Sequence, residues 1–452
     1  MELDRLKLNM MYAHAPHMGY GRMAVSIAAE FAKMNVEVYD HLAGTDEIDS
    51  PAQNSMRAGR ADHLNTGRNS GKANVLLWCT VPSHGAGWWK GQVSCILTMW
   101  EAMRLPESFR ESLPNYDTVI VPSRHNEELF SQFHPRVKYV PLGIDPDIWK
   151  YRERRPPERF FRYLIGGSGK RKGTDLAFAA FNKVWGKEGS WGSGPIPVLQ
   201  MKSPKAEDFY GPRVERITGH ISAQEEVDLY ANAHCYLQPS RGEGFSLQPL
   251  QAIAQGCPTV LTDAHGQAAF SRYGYPLSWK PEPSAYFVYG RAGDWWEPSL
   301  DDLCDHMKWV YENYDAACSF GRWAGEEVRE EFTWKRTANG VLDALGRDRL
   351  TDYDGPDEWF EPEILLYPIV LKRRRQFDIG THRYIFEPGV EYWAFADVKR
   401  VLFEGGELDP SCLHDDDPKN CGLAKSQIDK VGGYRADQGN CPTCGRPLVQ
   451  DA

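Results

Sequence analysis

Short apolar runs alternate with amphipathic stretches from residue 6 to about residue 346. In residues 6–39, an apolar run is followed by a glycine-containing turn, apolar positions at helical spacing and a second apolar run. This order is typical of a β-α-β unit. The same alternation returns in residues 160–184 and 198–262. The pattern predicts an α/β fold with two domains, each built on a parallel sheet.

A glycine-hinged loop in the second predicted domain has the clearest chemical character. Gly242 and Gly244 flank a single acid, Glu243, and apolar positions at helical spacing begin at Leu247. A glycine loop that opens a helix points backbone N–H groups and the positive end of the helix dipole outward, which suits a phosphate or a carboxylate. The Glu243 carboxylate would repel such an anion and is better suited to neutral hydroxyls. A sugar diphosphate offers both features, whereas the alternative is an ordinary turn of a parallel sheet.

Residues 218–262 resemble the donor-site signature of retaining family 4 glycosyltransferases, which have the GT-B fold. In that signature one acid lies eight positions before a second acid, which usually holds the ribose hydroxyls of the nucleotide. Here Glu243 is the first acid and Gln251 replaces the second. Glutamine can still donate and accept hydrogen bonds, but without charge assistance, so we expect weaker or altered nucleotide binding. Other matching positions are Phe245, Leu247, Leu250, Ala252, Gly256 and Pro258.

The resemblance covers about residues 8–346 and implies the GT-B fold, in which two Rossmann-like domains face each other across a cleft. We expect an N-terminal acceptor domain at residues 1–150 and a nucleotide-sugar domain at 159–346. The basic, proline-containing residues 152–159 are predicted to link them. Residues 351–452 are predicted to form a small accessory domain that contains β-strands and resembles a zinc ribbon.

A glycine-rich basic loop carries the predicted diphosphate contacts. By the resemblance, Lys172 matches the lysine that grips the donor diphosphate, and Arg171 or Lys170 would supply a second charge. Fixed cations there would stabilise the negative charge that builds on the leaving diphosphate. The alternative is a solvated basic turn. The remaining predicted donor-binding residues are Lys202, Gly219, His220, Gly244, Phe245, Ser246 and Leu247, together with Gly19 and Gly21 in a predicted loop that precedes a helix from about Met23.

Three residues are predicted to be catalytic: Glu243, Lys172 and Glu101. Glu101 lies near the position where the family often has a histidine, so it would orient the acceptor or take its proton. The alternative is an acid stabilised by the dipole at a helix N-terminus. His84 is a second candidate base. The resemblance requires no catalytic metal, and the acidic pair in residues 145–147 falls in the family's interdomain connection.

Four cysteines crowd into about the last forty residues: Cys412, Cys421, Cys441 and Cys444. Cys441 and Cys444 have the C-x2-C spacing of a zinc knuckle, whereas the first pair is more widely spaced. In a cytosolic chain, clustered thiols favour structural Zn²⁺ over disulfides. His414 could replace one cysteine. Four thiolates would leave no open position for catalysis by the metal.

Charge and hydropathy narrow the function classes. The formal net charge is −10 and the isoelectric point is about 5.8, which argues against a surface built broadly for nucleic acid. No apolar run approaches the roughly 20 residues needed to span a bilayer. We therefore expect a soluble, cytoplasmic protein.

Together these observations predict a glycosyltransferase that moves a sugar from a nucleotide diphospho-sugar to an acceptor hydroxyl with retention of configuration. A glycan or protein acceptor is favoured. A modified DNA base is less favoured, although basic residues 373–375 leave it open. Two alternatives are a non-catalytic binding protein, in which Gln251 marks lost donor binding, and a nucleotide-sugar epimerase of the same fold. An oligomer is also compatible with the sequence.

Overall fold

The structure is a computed structural model. For residues 40–42, 65–66 and those beyond 358 other than 371–372, it describes the backbone alone. The described residues are 6–12, 19–42, 65–66, 73–82, 88–202, 209–219, 221–283, 293–356, 358–360, 365–372, 375–379, 382–386, 391–394 and 423–424.

The N-terminal domain is built on a seven-stranded parallel sheet with the order β3-β2-β1-β4-β6-β7-β8. Every residue of β4 is buried, as expected for a parallel strand covered on both faces. Its elements are β1 (Lys7–Tyr12), α1 (Gly19–Lys33), β2 (Glu37–Leu42), β3 (Asn65–Thr66), β4 (Val75–Cys79), β5 (Trp88–Trp89), β6 (Val93–Leu97), α2 (Glu107–Ser112), β7 (Thr118–Val121), α3 (Arg124–Ser131) and β8 (Val137–Tyr139). β5 lies outside this sheet.

The second domain is built on a six-stranded parallel sheet with the order β11-β10-β9-β12-β13-β14. Its elements are β9 (Phe160–Gly166), α4 (Thr174–Trp185), β10 (Ile196–Lys202), β11 (Val214–Ile217), α5 (Ala223–Asn232), β12 (Cys235–Gln238), α6 (Leu247–Ala254), β13 (Thr259–Thr262) and β14 (Tyr275–Leu277). The two parallel sheets confirm the predicted α/β architecture.

An antiparallel hairpin, β15 (Trp279–Pro283) with β16 (Asp294–Pro298), connects the two domains. The backbone N–H of Met103 donates to the carbonyl oxygen of Asp294 over 3.0 Å. Trp295 is buried in a hydrophobic cluster whose other buried members all come from the N-terminal domain. The hairpin therefore fixes the second domain against the first.

After β16 the chain forms α7 (Leu300–Glu312), α8 (Tyr314–Glu331) and α9 (Trp334–Leu345). α9 returns to the N-terminal domain, where the Thr337 hydroxyl donates to the carbonyl oxygen of Pro141 over 2.8 Å. Among the described residues, no helix is both long enough and apolar enough to cross a membrane.

Residues that follow α9, up to residue 360, contact the N-terminal domain. The backbone N–H of Lys7 donates to the carbonyl oxygen of Leu350, and that of Asn74 to Thr351, each over 2.9 Å. Strand β17 (Trp359–Phe360) pairs antiparallel with β5. Further antiparallel pairs involve β18 (Leu365–Val370), β19 (Arg375–Ile379), β20 (His382–Phe386), β21 (Glu391–Ala394) and β22 (Leu423–Ala424). The predicted zinc ligands Cys412, Cys421, Cys441 and Cys444 lie outside the described residues.

Candidate active site

The loop after β12 brings together the acid and the cations that the sequence singles out. Glu243 is only 4% exposed. Its two carboxylate oxygens accept hydrogen bonds from Lys172 Nζ over 2.7 and 2.8 Å, and one of them accepts from Arg171 Nη1 over 3.3 Å. The Ser240 hydroxyl donates to the same carboxylate over 2.8 Å. The two residues predicted to bind the diphosphate, Lys172 and Arg171, thus contact the residue predicted to bind the sugar, Glu243.

The charge state of Glu243 follows from this arrangement. Burial alone would raise the pKa of its carboxyl, because the charged form loses hydration. The nearby Lys172 and Arg171, with the hydrogen bonds from Lys172 and Ser240, outweigh burial and lower the pKa from 4.5 to about 2. Glu243 is therefore ionised at neutral pH, and both of its carboxylate oxygens act as hydrogen-bond acceptors.

Glu101 reaches this cluster from the N-terminal domain. Its Oε1 lies 3.2 Å from Nη1 of Arg171, which also donates to the carbonyl oxygen of Gly242 over 2.6 Å. Glu101 lies in the loop before α2, which begins at Glu107, so it is not at a helix N-terminus. The side chains of Glu101, Arg171, Glu243 and Lys172 form a row of alternating charge that joins the two domains.

The loop between β12 and α6 (residues 239–246, the acidic loop) contains Gly242 and Gly244. Contact with the N-terminal domain explains both glycines. A Cβ on Gly242 would lie 2.0 Å from the carbonyl oxygen of Glu101, and one on Gly244 would lie 2.4 Å from side-chain atoms of Met99. Only glycine allows so close an approach. The acidic loop and the loop after β6 are therefore in direct contact.

Asn126 positions the backbone next to Glu101, a role that its sequence context does not signal. Its Oδ1 accepts from the Trp100 backbone N–H over 2.5 Å, and its Nδ2 donates to the Trp100 carbonyl oxygen over 3.0 Å. Ser123, the N-cap of α3, accepts from the Asn126 backbone N–H. This fully buried amide fixes the loop that carries Glu101.

The start of α6 follows directly after the loop that carries Glu243. Its N-cap residue, Ser246, has a φ of +86° and makes no side-chain cap hydrogen bond within the described part of the chain. The N–H groups of Leu247 and Gln248 are thus suited to a phosphate or carboxylate, whereas Pro249, the third residue of α6, has no N–H. Phe245 is buried against Phe270 and Phe332, so it offers only its backbone to a ligand.

Gln251 lies one turn further along α6 and is buried. Its Oε1 has no hydrogen-bond partner among the described residues. A buried acceptor of this kind suits a ligand hydroxyl, because an unsatisfied polar atom is otherwise unfavourable. Gly219 follows β11 with a φ of +85°, and the neighbouring His220 lies outside the described residues, as does His84.

Lys202 ends β10 and pairs with Glu226 of α5. Glu226 also accepts from Arg22 of the N-terminal domain over 3.1 Å. Burial opposes the charged form of Glu226, but Arg22 and Lys202 outweigh it and lower the pKa of its carboxyl. Gly19 and Gly21 lie in the first turn of α1, beside Arg22, because the helix begins at Gly19 rather than near Met23. A second interdomain ion cluster thus lies at the predicted donor site.

His265 and the backbone of Gly266, both uncharged, form hydrogen bonds with backbone carbonyl groups of the acidic loop. His265 Nε2 lies 3.0 Å from the carbonyl oxygen of Ser240, and the Gly266 N–H donates to the carbonyl oxygen of Glu243 over 2.9 Å. Burial lowers the pKa of His265 to about 3, so this histidine is neutral at physiological pH. The sequence carries no signal for this role, since the contacts depend on how β12 and β13 pair.

Two Rossmann-like domains that meet through the loops at the carboxyl ends of their sheets define the GT-B fold. Solved GT-B structures confirm it. The sucrose-phosphate synthase of Thermosynechococcus elongatus matches with a TM-score of 0.53 and 14% identity, over 75% of this chain and 98% of that protein. The structure of TarM matches with a TM-score of 0.55 and 10% identity, over 76% of this chain and 100% of TarM. The structure of Anabaena HepE in complex with UDP and glucose matches with a TM-score of 0.53 and 11% identity, over 75% of this chain and 99% of HepE.

Sequence comparison gives a more specific relationship. A family model described as "Family 4 Glycosyltransferase in conflict systems" matches residues 122–341. A protein of Sulfolobus islandicus filamentous virus, named as a candidate glycosyltransferase, is 24% identical over 184 residues. That match covers 39% of this chain and 48% of the viral protein, about half its length. Both similarities are to glycosyltransferases, and together they support that broad class for this chain.

Proposed function

We propose that this protein transfers a sugar from a nucleotide diphospho-sugar to an acceptor hydroxyl with retention of configuration. The observation that carries the proposal is the ionised Glu243, held by Lys172 and Arg171 beside the N-terminus of α6. This arrangement combines an acceptor for sugar hydroxyls with cations and N–H groups for a diphosphate. The likeness in fold to HepE, whose structure contains UDP and glucose, supports the same donor class.

In this proposal the cations act mainly in the transition state. Breaking the bond between the sugar and the diphosphate places negative charge on the leaving group and positive charge on the sugar ring. An ammonium has three N–H donors and a guanidinium five, so Lys172 and Arg171 can contact phosphate oxygens while they hold Glu243. Fixed charges in a buried site stabilise such developing charge without reorganisation. No metal ion is required for this step.

Glu101 is proposed to act on the acceptor. It comes from the N-terminal domain, and its pairing with Arg171 places it at the same cluster as Glu243. A carboxylate there can orient an acceptor hydroxyl and receive its proton. The acceptor is proposed to be a glycan or a protein, because the net charge of −10 disfavours a DNA acceptor.

A thermal-shift screen of nucleotides and nucleotide sugars, followed by donor hydrolysis assays, tests this proposal. We expect one diphospho-sugar to raise the melting temperature, and Lys172→Ala and Glu243→Ala to abolish that shift and turnover. Lys183→Ala is the matched control, since Lys183 forms an exposed pair with Asp301 away from the site. If no nucleotide sugar stabilises the wild-type protein, the proposed function is wrong.

A second candidate function is a non-catalytic binding protein that keeps the GT-B fold but has lost donor binding. The observation that favours it is Gln251, an uncharged residue with a buried, unpartnered oxygen at the predicted ribose contact. The absence of donor binding and of turnover in the folded wild-type protein would support this alternative. Conversion of the donor sugar without an acceptor would instead indicate an epimerase.

The C-terminal cysteines carry a separate proposal. Cys412, Cys421, Cys441 and Cys444 are proposed to hold a structural Zn²⁺, since four thiolates form a closed tetrahedral site. Such a site would stabilise the accessory domain and take no part in sugar transfer.

A further inference from the structure

Arg241 is a buried cation next to the proposed active site, with no role in the proposed chemistry. It is 2% exposed, and its guanidinium forms a two-point ion pair with Asp175 over 2.7 and 2.8 Å. It forms a second two-point pair with Glu297, in which Nη2 donates to Oε1 over 2.9 Å and Nε donates to Oε2. Nη1 also donates to the carbonyl oxygen of Lys170. All of these contacts use the planar fork that distinguishes arginine from lysine.

These partners lie on three separate elements. Asp175 is in the first turn of α4, and Glu297 is in β16. Lys170 is in the loop between β9 and α4 (residues 167–173, the basic loop). The backbone repeats the connection, because the Arg241 N–H donates to the carbonyl oxygen of Arg171 over 2.7 Å. The side chain of Arg171 donates in turn to the Gly242 carbonyl oxygen. The basic loop and the acidic loop are therefore fixed to each other from both sides.

The same residue links the site to the N-terminal domain. The Trp296 N–H donates to the carbonyl oxygen of Arg241 over 2.9 Å. The adjacent Trp295 is buried in the hydrophobic cluster of the N-terminal domain. The same domain contains Glu101. Movement of Arg241 would therefore change the separation of the acidic loop from both the cations and Glu101.

We propose that Arg241 is a positioning residue that holds the acidic loop against the basic loop, so that Glu243 stays within reach of Lys172 and Arg171. This inference rests on the proposed glycosyl transfer. Arg241 acts through the loop backbone, whereas the three residues that it places would contact the donor. Catalysis depends strongly on such placement, since an error of about 1 Å can cost on the order of a hundredfold in rate.

The test compares Arg241→Lys with the matched control Arg154→Lys. Arg154 is a similarly buried arginine, 9% exposed, that donates to carbonyl oxygens at the ends of α5 and α6, away from the charged row. We expect Arg241→Lys to lower kcat by about 10- to 100-fold while the KM for the donor changes less than about threefold, because the lost placement matters most in the transition state. Arg154→Lys should retain wild-type kcat below its melting temperature.

A second variant, Glu297→Gln, keeps the test valid if Arg241→Lys does not fold. It leaves the Asp175 pair in place, so we expect kcat to fall in the same direction but by less. Unchanged kcat in the folded variants, or equal losses in Arg241→Lys and Arg154→Lys, would overturn the inference. An inactive wild-type protein would instead remove the proposed function itself, and this inference with it.

Discussion

Lys172 Nζ lies within 2.8 Å of both carboxylate oxygens of Glu243, although 71 positions separate the two residues in the chain. Sheet topology explains the contact. Lys172 follows β9 and Glu243 follows β12, and these strands are neighbours in the parallel sheet. Loops at the carboxyl ends of neighbouring parallel strands meet at one edge of the sheet, where ligands of such folds bind.

The first prediction concerns the stability of the protein in acid. The pKa of Glu243 is lowered from 4.5 to about 2 in the folded protein, so its ionisation stabilises the fold above the unfolded value. This contribution is lost as the pH falls from about 4.5 towards 2. Glu243→Gln should therefore show a shallower loss of stability over this range, measured by urea denaturation. The exposed Glu312→Gln should keep the wild-type slope, and a wild-type slope in Glu243→Gln would contradict the prediction.

The second prediction concerns the contact between the two domains at Gly242. Gly242→Ala places a methyl group against the Glu101 backbone, which cannot rotate away as a side chain can. We expect a loss of about 1–3 kcal/mol in the free energy of unfolding, and a fall in turnover. Gly211→Ala is the control, because the nearest atom to its added Cβ lies at an ordinary distance of 3.4 Å. Equal melting temperatures for the two variants would show that the loops can separate freely.

The third prediction concerns the cluster of Arg22, Glu226 and Lys202. Glu226→Ala leaves two cations without their shared acid, so we expect it to cost about 2–4 kcal/mol in the free energy of unfolding. Arg22→Ala should cost about 1 kcal/mol, since Lys202 still pairs with Glu226. Urea denaturation measures both. Asp301→Ala, which breaks an exposed pair, should cost less than about 0.5 kcal/mol, and similar costs for all three would argue against a buried cluster.

The fourth prediction concerns Asn126. Asn126→Ala removes both hydrogen bonds between the buried amide and the Trp100 backbone, so we expect a loss of about 1–3 kcal/mol in the free energy of unfolding. Turnover should fall as well, because the adjacent Glu101 is no longer held in place. Asn339→Ala removes exposed hydrogen bonds with Lys335 and Arg347 and should change stability by less than about 0.5 kcal/mol. If Asn126→Ala kept wild-type turnover, the position of Glu101 would not matter for the reaction, and the prediction would be wrong.

The fifth prediction concerns the C-terminal cysteines. Elemental analysis of the purified full chain should find about one zinc ion per molecule, and Cys441→Ser with Cys444→Ser should remove it. Cys318→Ser, outside the cluster, should retain the metal. Chains that carry no zinc after purification without chelators would rule out the structural site.

The apolar runs were sufficient to predict both parallel sheets, because buried parallel strands are nearly continuous in hydrophobicity. The glycine-flanked Glu243 and the glycine-rich loop around Lys172 were also recognisable, since each is a local pattern. Their direct pairing was not predictable, because it depends on which strands are neighbours.

Arg241 and Asn126 show why the rest of the site could not be predicted. Arg241 meets Asp175 and Glu297 at separations of 66 and 56 positions, and Asn126 meets Trp100 at a separation of 26. No local spacing encodes such contacts. The position of Lys202 at a strand end predicts a donor contact, whereas its pairing with Glu226 depends on how α5 packs.

The pairing of β17 with β5 attaches the chain at residues 359–360 to the N-terminal domain. Residues beyond 360 follow the second domain in sequence but are tethered to the first, the domain that contains Glu101. A molecule captured by this C-terminal segment would be held at a high effective concentration near that domain, with no contribution from the donor side. Under the proposed function, we expect exchange of the C-terminal segment to alter the recruitment of the acceptor and to leave the donor chemistry unchanged.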